Sequence, residues 1–313
     1  MTTVGKIGEF NLIRRLQKRL ESRRPRSASV VAGIGDDCAV LRSGDPDKFL
    51  LYTCDPVVEG VHFLKNTPPR QVGWKAMARN LSDIAAMGGQ PRWAVVSIGL
   101  RPTTSLRYVD RLYDGLSAAA RRFGCVIVGG DTTHVKHEQF VVVTLLGEVE
   151  KSKLTLRSGS KIGDSVFVTG SLGGSLRGKH LRFAPRITEA RWLVQQFRVH
   201  AMIDLSDGLS SDLQRMVEAS HSNIGFEVFA AEIPLAPATR GNLNAALNDG
   251  EDFELLFTID PRDVTRLRAA WRREFRLPLS EIGRVVRSPG NVHLVTKDGR
   301  RRPLAAGGYD HFA

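Results

Sequence analysis

The sequence predicts two mixed domains, α+β or α/β, of similar size. Three observations carry this. Strand-like and helix-like runs alternate through both halves of the chain. A polar stretch with Gly and Ser at residues 150–161 separates the halves. At 313 residues the chain is long for one core and comfortable for two. The division falls between residues 1–150 and 151–313.

Residues 9–20 place Phe10, Ile13, Leu16 and Leu20 at helical spacing with basic residues between them. Residues 22–29, polar and Pro-containing, form a loop. The apolar run 30–34 and the short run 39–41 read as strands around a Gly35-Asp36-Asp37 turn. Residues 49–54 are a strand that 56–63 continues, with Glu59 and His62 exposed at a Gly60-Val61 turn. A long helix over 71–87 sets Val72, Ala76, Met77, Asn80, Leu81 and Ile84 on one side and stops at Gly88-Gly89 and Pro91. A buried strand at 94–100 and a helix at 105–123 follow, the helix ended by Gly124. A buried strand at 125–128 then runs into Gly129-Gly130-Asp131-Thr132, and 140–149 is another strand. Beyond the linker, 165–169, 201–204, 253–259, 281–286 and 292–296 read as strands, and 209–219 and 262–273 as helices. No short tandem repeat interrupts the pattern.

A hydrophobic content of 42% and a charged content of 25% are those of an ordinary soluble protein. No apolar run approaches the roughly eighteen residues that span a membrane, and residues 1–6 carry no export signal. Cys38, Cys54 and Cys125 are isolated, which suits reduced thiols in a cytoplasmic protein. The net charge of +12 invites a nucleic-acid reading. The Arg clusters (14–15, 23–26, 121–122, 272–273, 300–302) are short, scattered and not interleaved with aromatics, so they are read as solvated faces. No membrane and no specific nucleic acid is expected as a partner. A basic surface would favour the approach of small anions.

Gly173 to Lys179 fits the first seven places of a Walker A loop, but His180 stands where a hydroxyl must hold magnesium. It is read as a glycine-rich connection. Gly33-Ile34-Gly35 fails the dinucleotide pattern, since Cys38 replaces the third glycine. The carboxylates are the stronger signal. One Asp pair beside Gly is ordinarily a solvated turn, but Asp37, Asp55, Asp83, Asp131, Asp204 and Asp207 recur in apolar surroundings. Magnesium is held by carboxylates together with substrate phosphates and water. A nucleoside triphosphate meeting a phosphorylated acceptor needs several ions. Asp204 ends a strand, and Ser206 or Asp207 can cap the next helix, whose N-terminus offers donors to phosphate.

Seven stretches in order resemble thiamine-monophosphate kinase, of the superfamily that includes aminoimidazole ribonucleotide synthetase. They are Gly33-Ile34-Gly35-Asp36-Asp37-Cys38-Ala39; Asp55 through Phe63; Asn80-Leu81-Ser82-Asp83-Ile84-Ala85-Ala86-Met87-Gly88; Gly129-Gly130-Asp131-Thr132-Thr133; Ile203 through Leu209; Gly250-Glu251-Asp252-Phe253-Glu254-Leu255; and Gly308-Tyr309-Asp310-His311-Phe312. The resemblance implies a two-domain aminoimidazole ribonucleotide synthetase-like fold, with an N-terminal sheet domain that forms a homodimer and a C-terminal α/β domain closing over the nucleotide. It implies transfer of the ATP γ-phosphoryl group to thiamine monophosphate. It places several magnesium ions on Asp37, Thr53, Cys54, Asp55, Asp83, Asp131, Asp204 and Asp207. ATP would meet Tyr113, Gly130, Asp131, Arg157 and Ser206, and the thiamine site would hold His62, Glu251 and Tyr309. The acceptor is already an oxyanion, so no catalytic base is assigned.

Three departures from the family pattern bear on the site. Cys54 stands in place of a Thr. Asn248-Asp249-Gly250 replaces Ser-Gly-Gly and adds a charge. Residues 170–185 are short, which implies a lost helix. The competing readings are a same-fold enzyme with another acceptor and a basic nucleotide or nucleic-acid binder without turnover.

Overall fold

The computed structural model describes residues 2–21, 27–220 and 223–312. Residues 22–26, with Arg23, Arg24 and Arg26, lie outside the described residues. The first half contains α1 (Val4–Glu21), β1 (Val30–Ala32), β2 (Ala39–Arg42), β3 (Lys48–Val58), α2 (Pro69–Ala86), β4 (Gln90–Leu100), α3 (Leu106–Arg122), β5 (Val126–His134) and β6 (Phe140–Glu150). The second half contains β7 (Ser165–Thr169), α4 (Ile187–Gln196), β8 (Val199–Asp204), α5 (Leu209–Ser220), β9 (Ile224–Phe229), α6 (Leu243–Asn248), β10 (Leu255–Ile259), α7 (Val264–Glu274), β11 (Leu279–Arg287), β12 (Val292–Val295) and β13 (Arg301–Pro303).

Each half builds one sheet. The first has six strands in the order β1-β2-β3-β6-β4-β5, and the second has seven in the order β13-β12-β9-β11-β7-β10-β8. Both are mixed. Among the described residues only β4–β5 in the first and β12–β9 in the second pair parallel. Strict alternation along β6 buries Val141, Val143, Leu145 and Val149 beneath the helices and half-exposes the residues between them. Helix α2 opens with Pro69, which needs no N–H donor there, and ends where Gly88 turns left-handed and Gly89 N–H returns to Ile84 O. One apolar cluster runs from Val72, Met77 and Leu81 into Phe167, Phe257 and Trp271, so α2 is core to both halves.

The helices cover one face of the first sheet and leave the other open. Tyr52, Trp93, Val95, Val126 and Val128 stand exposed on it, Val126 at 58% and Val128 at 59%. This corrects the expected buried strands at 94–100 and 125–128. In the first, the helix-side residues Ala94, Val96 and Ile98 are buried together with Gly99, while Val95 is exposed and Ser97 and Leu100 are half-buried. The second forms the start of an edge strand with a single neighbour. Two further corrections concern Glu59 and His62, expected exposed and in fact buried. Glu59 accepts from Arg101 Nη1 at 2.5 Å and from Gln139 N–H at 3.1 Å. His62 Nδ1 accepts Val58 N–H at 3.1 Å.

Helix α1 leans on the second half. A break at Gly8 frees Glu9 N–H to donate to Asp310, Arg14 pairs with Glu218, and the Arg215 guanidinium covers the Phe10 ring. Its Ile13, Leu16 and Leu20 stripe stays exposed. The glycine-rich 173–179 segment forms two short 3-10 turns tied to acidic side chains. Gly173 N–H donates to Asp252 and Gly174 N–H to Asp249, while Lys179 and Arg186 hold Glu254. The charge added at Asp249 therefore anchors this connection.

Candidate active site

Three carboxylates from three elements meet where the halves touch. Asp37 follows β1, Asp83 lies on α2 and Asp204 closes β8, with one oxygen of each within 4.8 Å of the others. Alternation along β3 turns Thr53 and Asp55 toward α2, where Thr53 Oγ1 donates to Asp83 at 2.5 Å. Buried Asn80 accepts Asp55 N–H at 3.1 Å and donates to Ala76 O, fixing the strand against the helix. Ser82 donates to Asp204 at 2.5 Å. Burial, reinforced by neighbouring carboxylates, pushes the Asp83 carboxyl well above its usual range and Asp204 up to about 7. Asp37 accepts Arg157 Nη2 at 2.7 Å, yet its buried Oδ2 has no hydrogen-bond partner among the described residues. A buried orphan oxygen beside two crowded carboxylates is satisfied by a hard cation, so these residues fit magnesium.

Asp36, beside this cluster, ties down the linker by accepting Arg157 N–H at 3.1 and 3.2 Å. Burial and the Asp37 charge push its carboxyl up to about 7. Burial opposes the charge on Arg157, but Asp37 outweighs it and the guanidinium is held more firmly protonated than usual. Its Nε is buried with no acceptor among the described residues.

The remaining predicted ligands divide. Cys54 Sγ lies on the open face, where Thr144 Oγ1 donates to it at 3.2 Å, so its side chain points away from Asp55 and Asp83. Only its backbone is left on the ligand path. Asp131 pairs in register with Ser97, which pairs with Val142 and it with Pro56, placing the Asp131 side chain on the open face too. Three strand spacings, roughly 14 Å, separate it from β3. Beside it, a side chain at Gly130 would strike Val96 O at 1.9 Å, so only glycine lets these strands approach. Tyr113 is half-buried on α3. Asp207 is pushed up to about 6 by burial and by Glu9. Neither Ser206 nor Asp207 caps α5 among the described residues; Asp212, in its first turn, reaches back to Gly208 N–H at 3.1 Å instead.

The expected thiamine residues do come together. Glu251 N–H donates to Ser206 O at 2.7 Å and Tyr309 N–H to Asp207 O at 3.0 Å, lacing three loops side by side. A side chain at Gly308 would meet Asp207 O at 2.1 Å. Glu251 and Phe253 adopt left-handed φ of 57° and 50°, a cost retained where a site fixes the backbone. The Glu251 carboxylate accepts from buried Lys75 Nζ and, at 3.2 Å, from Arg79 Nη1. Lys75 also donates to His62 O at 2.8 Å. The His311 ring lies 5.2 Å from that of His62 and 4.9 Å from that of Tyr309. Burial, then Arg79, Lys75 and His311, push His62 down to about 3 and keep it neutral. Sequence reasoning assigned no role to Lys75, Arg79 or His311. The available signal was spacing, since Val72, Lys75 and Arg79 follow one another at helical intervals on α2.

Residues 35–149 match the model of the AIR synthase related protein N-terminal domain, and 152–295 that of its C-terminal domain. The thiamine-monophosphate kinase of Rhodopirellula baltica is 37% identical over 286 residues, covering 87% of this chain and 88% of that one. The chain belongs to the thiamine-monophosphate kinase family. The family's Aquifex aeolicus kinase is 34% identical over 98% of both chains. A solved structure described as AaThiL complexed with AMPPCP and TMP superposes with a TM-score of 0.83 at 32% identity, covering 99% of each chain. The kinase-family fold expected from the sequence is the fold observed.

Proposed function

We propose that this chain phosphorylates thiamine monophosphate at the expense of ATP, with magnesium. A phosphate oxygen of the acceptor attacks the γ-phosphorus, the bond to the β-bridging oxygen breaks, and ADP leaves with that electron pair. The supporting observation is that α2 carries Asp83 at the carboxylate cluster and Lys75 at the His62–Glu251–Tyr309 cleft. Asp37, Asp83 and Asp204, with Asp55 and Asp207 near them, would hold the metal, which neutralises phosphate charge when bound. Arg157, held by Asp36 and Asp37, would meet the nucleotide through the part of its side chain that stays exposed, and the backbone at Ser206 orients the loop that faces it. No residue needs to remove a proton, because the acceptor is already an oxyanion; positioning carries the reaction.

This reading includes a homodimer formed through the open face of the first sheet. Its exposed apolar residues suit burial against a second copy, and Asp131, Gly130 and Tyr113 would then serve a nucleotide near that seam. It includes the division at residue 150, the second part closing over the nucleotide, and a cytoplasmic setting. Among the described residues no helix is long and apolar enough to cross a membrane.

The test measures ADP and thiamine diphosphate formed from ATP, magnesium and thiamine monophosphate, with free thiamine as decoy and Asp207→Asn as control. Metal-dependent product from the monophosphate alone, lost in the variant, is expected. Intact ATP binding without product would overturn the assignment.

A further inference from the structure

The Arg79 side chain lies between the two parts of the site. Its Nε donates to Asp55 at 3.1 Å and its Nη1 to Glu251 at 3.2 Å, so one guanidinium joins a carboxylate of the metal region to one of the thiamine cleft. The side chain is only 14% exposed and packs above the Phe253 ring. Two of its five N–H donors are used in these bonds, and Nη2 makes no hydrogen bond among the described residues. Lys75 already neutralises Glu251 from the other side. Arg79 is therefore in excess of what Glu251 needs.

We infer that Arg79 binds the phosphate of the acceptor and is what makes the site select a phosphorylated thiamine over free thiamine. The inference rests on the kinase reading above. Any acceptor phosphate must lie between the carboxylates that gather the nucleotide and the cleft that holds the organic cation, and this guanidinium occupies that junction. A planar fork with free donors matches phosphate oxygens, which a lysine ammonium at the same place would contact only as a point charge. The residue specifies the acceptor and steadies charge on it; it takes no proton.

The test uses the intact chain and two readouts. Calorimetric titration without ATP or metal compares thiamine monophosphate with free thiamine. The wild-type chain should prefer the monophosphate by about tenfold to a hundredfold, the scale of charge-assisted hydrogen bonds, and in Arg79→Met the ratio of the two affinities should fall to near one. In turnover, Arg79→Met should raise KM for the monophosphate and lower kcat, with KM for ATP little changed, and Arg79→Lys should recover part of the loss. Unfolding curves for both variants separate this from misfolding; should Arg79→Met not fold, Arg79→Lys and Arg79→Gln carry the same comparison. An undiminished preference in a folded variant overturns the inference while leaving the kinase reading intact. Failure of the wild-type chain to make thiamine diphosphate would instead remove the reading on which it rests.

Discussion

Ser82 Oγ, on α2, donates to Asp204 Oδ2, at the end of β8, at 2.5 Å, and this bond joins the helix of the first sheet to the second. Both residues are buried, so removing the hydroxyl leaves a carboxylate oxygen short of a donor. Ser82→Ala should destabilise the fold by about 1–3 kcal/mol, read from denaturant midpoints at unchanged m-value. An unchanged midpoint would show that another group replaces the hydroxyl.

Lys75 is fully buried, and its charge is met by Glu251. Lys75→Met takes one of two cations from Glu251, leaving it to Arg79, and should cost about 1–3 kcal/mol. Adding Glu251→Gln should recover much of that, although Arg79 then keeps only Asp55. A double-mutant cycle with no coupling between the two positions would contradict the arrangement.

The three cysteines should separate cleanly by reactivity. Burial pushes the Cys38 thiol well above its usual pKa and Cys125 up to about 11, while Cys54 stands exposed on the open sheet face. A thiol reagent at neutral pH should modify Cys54 alone in the native chain. Labelling that slows as protein concentration rises would support pairing through that face; rapid labelling of Cys38 would contradict its burial.

His62 gives the stability a pH signature. Its pKa is about 3 in the folded chain against an ordinary histidine value of about 6.5, so the unfolded chain takes up the proton first. The neutral ring's contribution is complete above pH 6.5 and is lost as pH falls toward 3. Across that window His62→Gln should flatten the decline in unfolding free energy by up to about 1.4 kcal/mol per pH unit, one proton's worth. Parallel curves for the two proteins would exclude a neutral buried His62.

Gly308→Ala should displace the tail, since a methyl there meets Asp207 O at 2.1 Å. Tyr309 and His311 move with it. Weaker thiamine monophosphate binding at unaltered ATP binding is expected; equal affinity would place the tail outside the substrate site.

The long helix and the carboxylate motifs were legible because each leaves a local mark: a 3.6-residue apolar stripe, a Gly-Asp turn, a strand ending in Asp. Helix α4, helix α6 and strands β9 and β13 were missed. Strand β9 is buried along almost its whole length, and such runs have no period to read. The exposure of Val126 and Val128 was misread for a related reason. A run of apolar residues says that a face is covered by something, without saying whether the cover is in the same chain. Cys54 was placed among the ligands by motif position; strand alternation, visible once β3 is fixed in register with β6, turns its sulfur the other way. Lys75 and Arg79 were passed over because a cation on a helix is ordinarily solvated, and their partner Glu251 lies more than 170 residues away in sequence.

Helix α2 carries Lys75, Arg79 and Asp83 at intervals of four residues, one above another on a single continuous helix. With a rise of 1.5 Å per residue, the first and last are held about 12 Å apart. It acts as a ruler. The spacing between the Asp37–Asp83–Asp204 cluster and the Lys75–Glu251 pair is marked off by one rigid rod. A single residue inserted between Lys75 and Asp83 would turn one mark about 100° away from the other, abolishing transfer while leaving each binding region chemically whole.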